Sequence, residues 1–319
     1  MHFPASGVDV SPFLPPLVAF FISLFTSTGG VSGAFLLLPF QMSVLHFTSP
    51  AVSATNQLFN IVAIPSGVYR YIREGRMVWP LTWVVIAGTL PGVLIGAILR
   101  VRYLPDPVRF KLFAGVVLLY IGGRLVWDLL AKQKGSLEAT AAEERFQALV
   151  RRHRDASGSG SGGAGRALPR VAVKRFTPSR IAYEFYGEVF DFSTPGIFAL
   201  SFFVGIVGGV YGIGGGAIIA PFFVAVFGLP VYTVAGAALM GTLITSVAGV
   251  GFYQAIAPFY PELAVAPDYP LGLLFGLGGM AGMYLGARLQ KHLPAKAIKG
   301  MLAAVIVFMA VRYIAEFLR

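Results

Sequence analysis

Apolar residues gather into eight long segments, at 14–46, 49–70, 79–100, 107–130, 196–227, 231–257, 269–289 and 296–317. A helix needs about 20 predominantly apolar residues to cross a bilayer. The pattern therefore predicts an all-α polytopic membrane protein. The segments form two sets of four around a polar stretch at 131–195. This divides the chain into a first transmembrane repeat (1–130), a linker (131–195) and a second repeat (196–319). The first and fifth segments are too long for one straight span. Each carries a glycine cluster near its middle, TSTGGVSGAFLLLP (Thr26 to Pro39) and VYGIGGGAIIAP (Val210 to Pro221). Glycine and proline disfavour a continuous helix, so each repeat is expected to open with a broken helix that either crosses the membrane or re-enters.

The linker reads differently from its surroundings. Ser136 to Asp155 is charged and helix-prone, and SGSGSGGAG (Ser157 to Gly165) has the composition of a flexible tether. Val171 to Phe192 mixes aromatic and basic residues, which predicts an interfacial helix. At the start of the chain, MHFPASGVDVSPFLPP lacks a basic n-region and the apolar run after it is too long for an h-region. No cleavable signal peptide is expected.

Composition supports the membrane reading. The chain is 56% hydrophobic and 12% charged, whereas a soluble domain carries about 25% charge. The net charge of +11 does not mark a nucleic-acid surface. Eleven of the 25 Lys and Arg residues lie between Lys132 and Arg180, and most others flank apolar segments. That distribution predicts a cytoplasmic linker, contact with membrane lipids and no nucleic-acid partner. Cysteine is absent and the four histidines are scattered, so no metal site or cofactor is expected.

The two halves share an order and a spacing. Placing Pro39 on Pro221 brings Gly30 onto Gly212 and Gly33 onto Gly215 without a gap. Further on, Gly92 and Gly96 fall on Gly282 and Gly286, and each copy ends in an apolar helix carrying an arginine, Arg124 or Arg312. The GxxxG pairs read as helix packing. Duplicated mid-segment breaks point instead to a transport site.

VYGIGGGAIIAPF (Val210 to Phe222), followed by ALMGTLITS (Ala238 to Ser246), resembles the TauE/SafE sulfite exporter family. GGVSGAFLLLPF (Gly29 to Phe40) with AVSATNQLFN (Ala51 to Asn60) looks like its partner repeat. The resemblance covers nearly all the apolar chain. It implies a transporter in the bacterial inner membrane exporting a small anion, sulfite or a related organosulfur compound. The first copy departs from the pattern, with Ser32 and Ala34 where the second has Gly214 and Gly216.

An oxyanion needs hydrogen-bond donors and positive potential, yet must leave again. Broken helices offer free backbone N–H groups backed by the helix dipole, and glycine lets an anion approach the backbone. Gly30, Ser32 and Gly33 are therefore expected to face Gly212, Gly214, Gly215 and Gly216. Polar side chains would come from Asn56, Gln57 and Asn60 in the second segment and from Thr242, Thr245 and Ser246 in the sixth. Asn56 and Asn60 share a helix face at i, i+4, as do Thr242 and Ser246. The alternative use of these groups is bonding between helices, or to i−4 carbonyls for the hydroxyls.

Arg124 and Arg312 lie near helix ends and are expected to snorkel. No Asp or Glu sits deep in an apolar segment, so no carboxylate relay is visible and proton coupling is left open. An anion channel lined by the same breaks is the alternative function. An enzyme is not expected, because the apolar segments lack a nucleophile–base pair or paired carboxylates. The sequence does not set the oligomeric state.

Overall fold

The computed structural model describes residues 1–27, 32–73, 75–130, 171–185, 187–216, 218–229, 231–289 and 295–318. Gly30, the charged stretch at 136–155 and the Gly/Ser tether at 157–165 lie outside the described residues.

The chain opens with a two-stranded hairpin, β1 (His2–Phe3) and β2 (Val8–Asp9). The first half then runs through α1 (Leu14–Ser27), α2 (Ala34–Ser43), α3 (Ala51–Ala63), α4 (Pro65–Arg73), α5 (Trp79–Arg102) and α6 (Pro107–Leu130). Three strands follow: β3 (Ala172–Phe176), β4 (Arg180–Phe185) and β5 (Glu188–Ser193). The second half comprises α7 (Thr194–Tyr211), α8 (Ile219–Phe227), α9 (Val231–Ile256), α10 (Tyr269–Leu289) and α11 (Ala295–Leu318). Among the described residues, four helices are long and apolar enough to cross a membrane: Trp79–Arg102, Pro107–Trp127, Thr194–Tyr211 and Thr233–Phe259.

Two expectations are corrected. The segment at 49–70 is two helices, α3 and α4, meeting at Ile64 and Pro65. Pro65 has no N–H to give to the preceding turn. Val171 to Phe192 is not an interfacial helix but an antiparallel sheet in the order β3-β4-β5. Its residues alternate with period two, so Ile181, Tyr183, Phe185 and Phe192 are buried together. Tyr183 stacks on Phe190 at 5.2 Å and meets Phe192 edge-on at 6.1 Å. The β4–β5 turn contains Gly187 at φ +82°. Tyr183 Oη and Thr233 Oγ1 share a hydrogen bond of 2.7 Å that docks the sheet on the start of α9. Ser193, the last residue of β5, caps α7 by accepting from Gly196 N at 3.2 Å.

Close glycine contacts fix the helix directions. On α5, a Cβ at Gly88, Gly92 or Gly96 would fall against the carbonyls of Phe198, Phe202 and Ile206 on α7. On α10, a Cβ at Gly278, Gly282 or Gly286 would fall against the carbonyls of Pro16, Phe20 and Leu24 on α1. Both ladders step by four residues, so α5 runs parallel to α7 and α10 parallel to α1. Gly272 and Gly276 of α10 face Leu58 and Val62, which makes α3 parallel to α10 as well. Gly236 of α9 meets Tyr71 whereas Gly249 meets Gln57, so α9 runs antiparallel to α3 and α4. Along α6 and α11, Gly115 meets Tyr313 and Gly122 meets Val307, again antiparallel.

The bundle thus has two ends. One, the hairpin end, holds the starts of α3 and α10, and Ser6 of the β1–β2 turn bonds Asp268 there at 2.8 Å. The other, the sheet end, holds β3–β5 and the starts of α5, α7 and α9.

Candidate functional site

Four of the five polar residues of α3 share one face, and the fifth, Thr55, accepts from Asp268 N at 2.9 Å. Ser53, Asn56, Gln57 and Asn60 are fully buried. Their spacing of three, four and seven places them on one helix face. That face meets the chain between α1 and α2, the chain between α7 and α8, and the middle of α9.

Asn60 connects all three. Its Oδ1 accepts from Ser32 Oγ at 2.6 Å, on the approach to α2. Its Nδ2 donates to the Ile213 carbonyl at 3.0 Å and, more weakly, to Ser246 Oγ at 3.4 Å. Asn56 lies one turn nearer the hairpin end. It donates to the Ala34 carbonyl at 2.9 Å and accepts from Gln41 Nε2 at 3.2 Å. Ser32 Oγ also accepts from Ala34 N at 3.3 Å. Tyr211 Oη donates to the Phe35 carbonyl at 2.9 Å, a second tie between the end of α7 and α2.

The turn after α7 needs its glycines. Gly212 has φ +83° and Gly214 φ +75°, a region that L side chains avoid. Gly212 ends α7 by donating to Gly208 O at 2.9 Å. A Cβ there would strike the backbone of Ser53. At Gly214 it would come within 2.9 Å of Ser246 Oγ, and at Gly216 it would strike the Ala238 carbonyl. Gly215 N donates to Thr245 Oγ1 at 3.1 Å. Gly33 differs: its φ is −66° and it caps α2, with Ser23 Oγ and Thr26 Oγ1 at 3.1 and 3.3 Å from a Cβ position.

Ser32, Gly33, Asn56, Asn60, Gly212, Gly214, Gly215, Gly216, Thr242, Thr245 and Ser246 thus gather at one buried centre. The hydroxyls divide their roles. Thr242 and Thr245 donate to the i−4 carbonyls of Ala238 and Gly241 at 2.9 and 2.7 Å, whereas Ser246 faces Asn60.

Several members of the centre were not singled out from the sequence. Ser53 Oγ donates to the Val210 carbonyl at 3.0 Å. Gln57, expected with Asn56 and Asn60 among the polar side chains, has no partner among the described residues for either side-chain polar atom, and Gln41 Oε1, Ser23 Oγ and Thr26 Oγ1 have none there either. Gln57 lies against Gly249, where a Cβ would overlap the amide. The signal was present in the Ser53, Asn56, Gln57, Asn60 stripe; Gln41, Ser23 and Thr26 gave none, since single polar residues in apolar helices are commonplace. Arg100 is the other omission. It is completely buried at the hairpin end of α5. A groove of about 500 Å³, lined by Trp83, Val84, Ala87, Phe176, Pro178 and Phe198, lies on the outside of the bundle, away from this centre.

A family model described as sulfite exporter TauE/SafE matches residues 16–313. The chain belongs to that family. As a TauE/SafE protein it is a membrane transport protein, and the match spans most of α1 through most of α11, the Asn60 centre included. No curated protein and no solved structure matches the chain.

Proposed function

We propose that this protein is a secondary transporter that exports sulfite, or a related sulfur oxyanion or organosulfonate, through the centre around Asn60. The observation that carries the reading is the bond set of Asn60, which joins Ser32 before α2 to Ile213 after α7. Membership of the family supplies the anion. The local chemistry suits it, because the centre holds hydroxyl and amide groups and no carboxylate among the described residues. Donors without a full charge bind an anion yet let it go.

The two halves are read as inverted copies. Their support is the exchange of partners between the glycine ladders. Pro16, Phe20 and Leu24 precede Phe198, Phe202 and Ile206 by 182 positions, the offset that places Pro39 on Pro221. Each copy's first helix packs on the other copy's third long segment, and the two first helices run in opposite directions. In this reading α1–α2 is a re-entrant pair from the hairpin end and α7–α8 one from the sheet end, with their reversals meeting at Asn60. Such pairs suit alternating access, with one copy rocking against the other about a fixed site.

Charge then assigns the sides. The sheet end carries Arg70, Arg73, Arg76, Lys174, Arg175, Arg180 and the start of the basic linker. At the hairpin end, Arg100 is buried and Lys111 is paired with Glu316, which leaves Arg102 and Arg109 exposed at the α5–α6 connection, a smaller group of cations. The sheet end is accordingly cytoplasmic in the bacterial inner membrane. The channel reading has less support, since Asn60 bridges Ser32 and Ile213 and Tyr211 bonds the Phe35 carbonyl across the centre.

The test is sulfite flux from proteoliposomes, with and without a pH gradient and with thiosulfate, sulfate and a sulfonate as competitors. Saturable, competed flux is expected, and a gradient effect would add coupling to protons. Flux that rises linearly with concentration would replace the carrier by a channel. No movement of any anion would end the assignment.

A further inference from the structure

Among the described residues, Arg100 is the one completely buried cation, and no carboxylate pairs with it. Its guanidinium donates to the Thr48 carbonyl at 2.8 Å and to the Leu104 carbonyl. It also lies over the Phe110 ring, 3.6 Å from the centroid. Among the described residues Nε has no partner, and one residue from Thr48 the enclosed Ser49 Oγ has none either. A buried guanidinium satisfied only by neutral carbonyls and a ring is incompletely compensated. The unused Nε, with an unused hydroxyl on the residue after Thr48, points to an acceptor that arrives from outside.

We propose that Arg100 and Ser49 form a second anion-binding site at the hairpin end, distinct from the Asn60 centre, where a small oxyanion replaces the Thr48 and Leu104 carbonyls. The proposal rests on the transport reading. A guanidinium fork matches an oxyanion in two parallel bonds, and a full negative charge attracts the buried guanidinium more strongly than the carbonyl dipoles do. An anion therefore outcompetes the carbonyls for Arg100. The carbonyls in turn hold closed the loop at 44–50, between α2 and α3, against the loop at 103–106, between α5 and α6.

Release of that loop reaches the centre by a short path. Phe47 N donates to the Gln41 carbonyl at 3.0 Å, and Gln41 Nε2 donates to Asn56 at 3.2 Å. Asn56 in turn holds the Ala34 carbonyl at the start of α2. Anion arrival at Arg100 thus loosens the hairpin end of the pathway while the neutral donors of the centre let the anion go. The second site is an exit site that couples opening to occupancy.

The test is hydrogen exchange by mass spectrometry on the full chain in nanodiscs, reading the amides of Phe47 to Ser53. Without an anion beyond gluconate, Arg100→Gln is expected to exchange there about tenfold faster than the unaltered chain. Sulfite should accelerate exchange in the unaltered chain and leave Arg100→Gln unchanged, with Arg100→Lys between the two. Sulfate and chloride show whether the site selects among anions. If Arg100→Gln does not fold, Ser49→Ala, which should weaken the sulfite response, replaces it. Exchange insensitive to every anion tried, or equal responses in all variants, overturns the site. Arg100→Gln that carries sulfite normally with unaltered exchange overturns it while leaving the transport reading intact. A chain that moves no anion but whose loop still responds to sulfite through Arg100 keeps the site and removes the transport reading instead.

Discussion

Asn60 Nδ2 donates to the Ile213 carbonyl at 3.0 Å, so a side chain of the first half holds the backbone of the second. The two residues are 153 positions apart, and the same amide accepts from Ser32 through its oxygen. Both functions of the carboxamide are used, and each goes to a different chain reversal. A residue in this position fixes the centre, and on the proposed reading it is where an entering anion would break it.

Asn60→Ala is expected to lower sulfite flux at least about tenfold and to destabilise the fold by about 1–3 kcal/mol, since Ser32 Oγ and the Ile213 carbonyl are left buried without it. Asn60→Asp should be worse for flux. Its carboxylate would face the Ile213 carbonyl and repel an anion. Thermal unfolding and flux on the same nanodisc and proteoliposome preparations check both. Flux unchanged in Asn60→Ala would remove this residue from the pathway.

Gly216→Ala and Gly212→Ala should both disrupt the reversal after α7. The first would place a Cβ on the Ala238 carbonyl; the second would strike Ser53 and hold alanine at φ +83°, a conformation that adds about 1–2 kcal/mol by itself. The informative comparison is Gly123→Ala, where nothing lies within 4 Å of the new Cβ. That variant should match the unaltered chain or gain up to about 1 kcal/mol of helix propensity. Loss of flux in the first two and not the third would separate the reversal from a general intolerance of alanine.

Tyr183 ties the sheet to α9. Burial raises its phenol above the ordinary value near 10, and the bond to Thr233 only partly offsets this. A tyrosine whose acidity is weakened by folding stabilises the fold fully below its unfolded value and loses that contribution as pH rises beyond it. Tyr183→Phe should lose about 1 kcal/mol for the bond, without loss of flux. The stability gap between the two proteins should hold to about pH 10 and close above it. A gap that widened in alkali would contradict the buried, neutral phenol. Unfolding midpoints across a pH series supply the measurement.

What the sequence conveyed depended on whether a signal was local. The stripe on α3 was readable because Asn56 and Asn60 share a face whatever surrounds them. Which carbonyls they meet was not, since Ile213 reaches Asn60 only through the packing of α7. Arg100 looked like an ordinary basic flank because it sits near a helix end, where cations usually reach headgroups; only the loops holding Thr48 and Leu104 enclose it. The strands at 172–193 show a period of two in Ile181, Tyr183 and Phe185. Their aromatic and basic composition is equally that of an interfacial helix, and contact with Thr233 comes from outside the segment. The break between α3 and α4 falls at Pro65, which the unbroken apolar run at 49–70 concealed.

Gln57 separates binding from folding more sharply than any other residue of the centre. Its amide is fully buried with neither atom partnered among the described residues, an arrangement that costs the fold about 1–3 kcal/mol. Gln57→Leu removes the polar atoms while nearly keeping the volume, so it should leave the unfolding midpoint unchanged or raise it. If the amide serves the anion, the same variant should lose sulfite flux by about tenfold, with the loss in apparent affinity before maximal rate. Gln57→Glu should lose more, because a carboxylate against Gly249 repels the substrate. A residue kept for structure would show the opposite pairing, with stability falling and flux following it. Flux and midpoint measured together on Gln57→Leu therefore decide between the two: a stable, inactive protein assigns Gln57 to the anion, and a stable, fully active one returns it to the packing of α3 against α9.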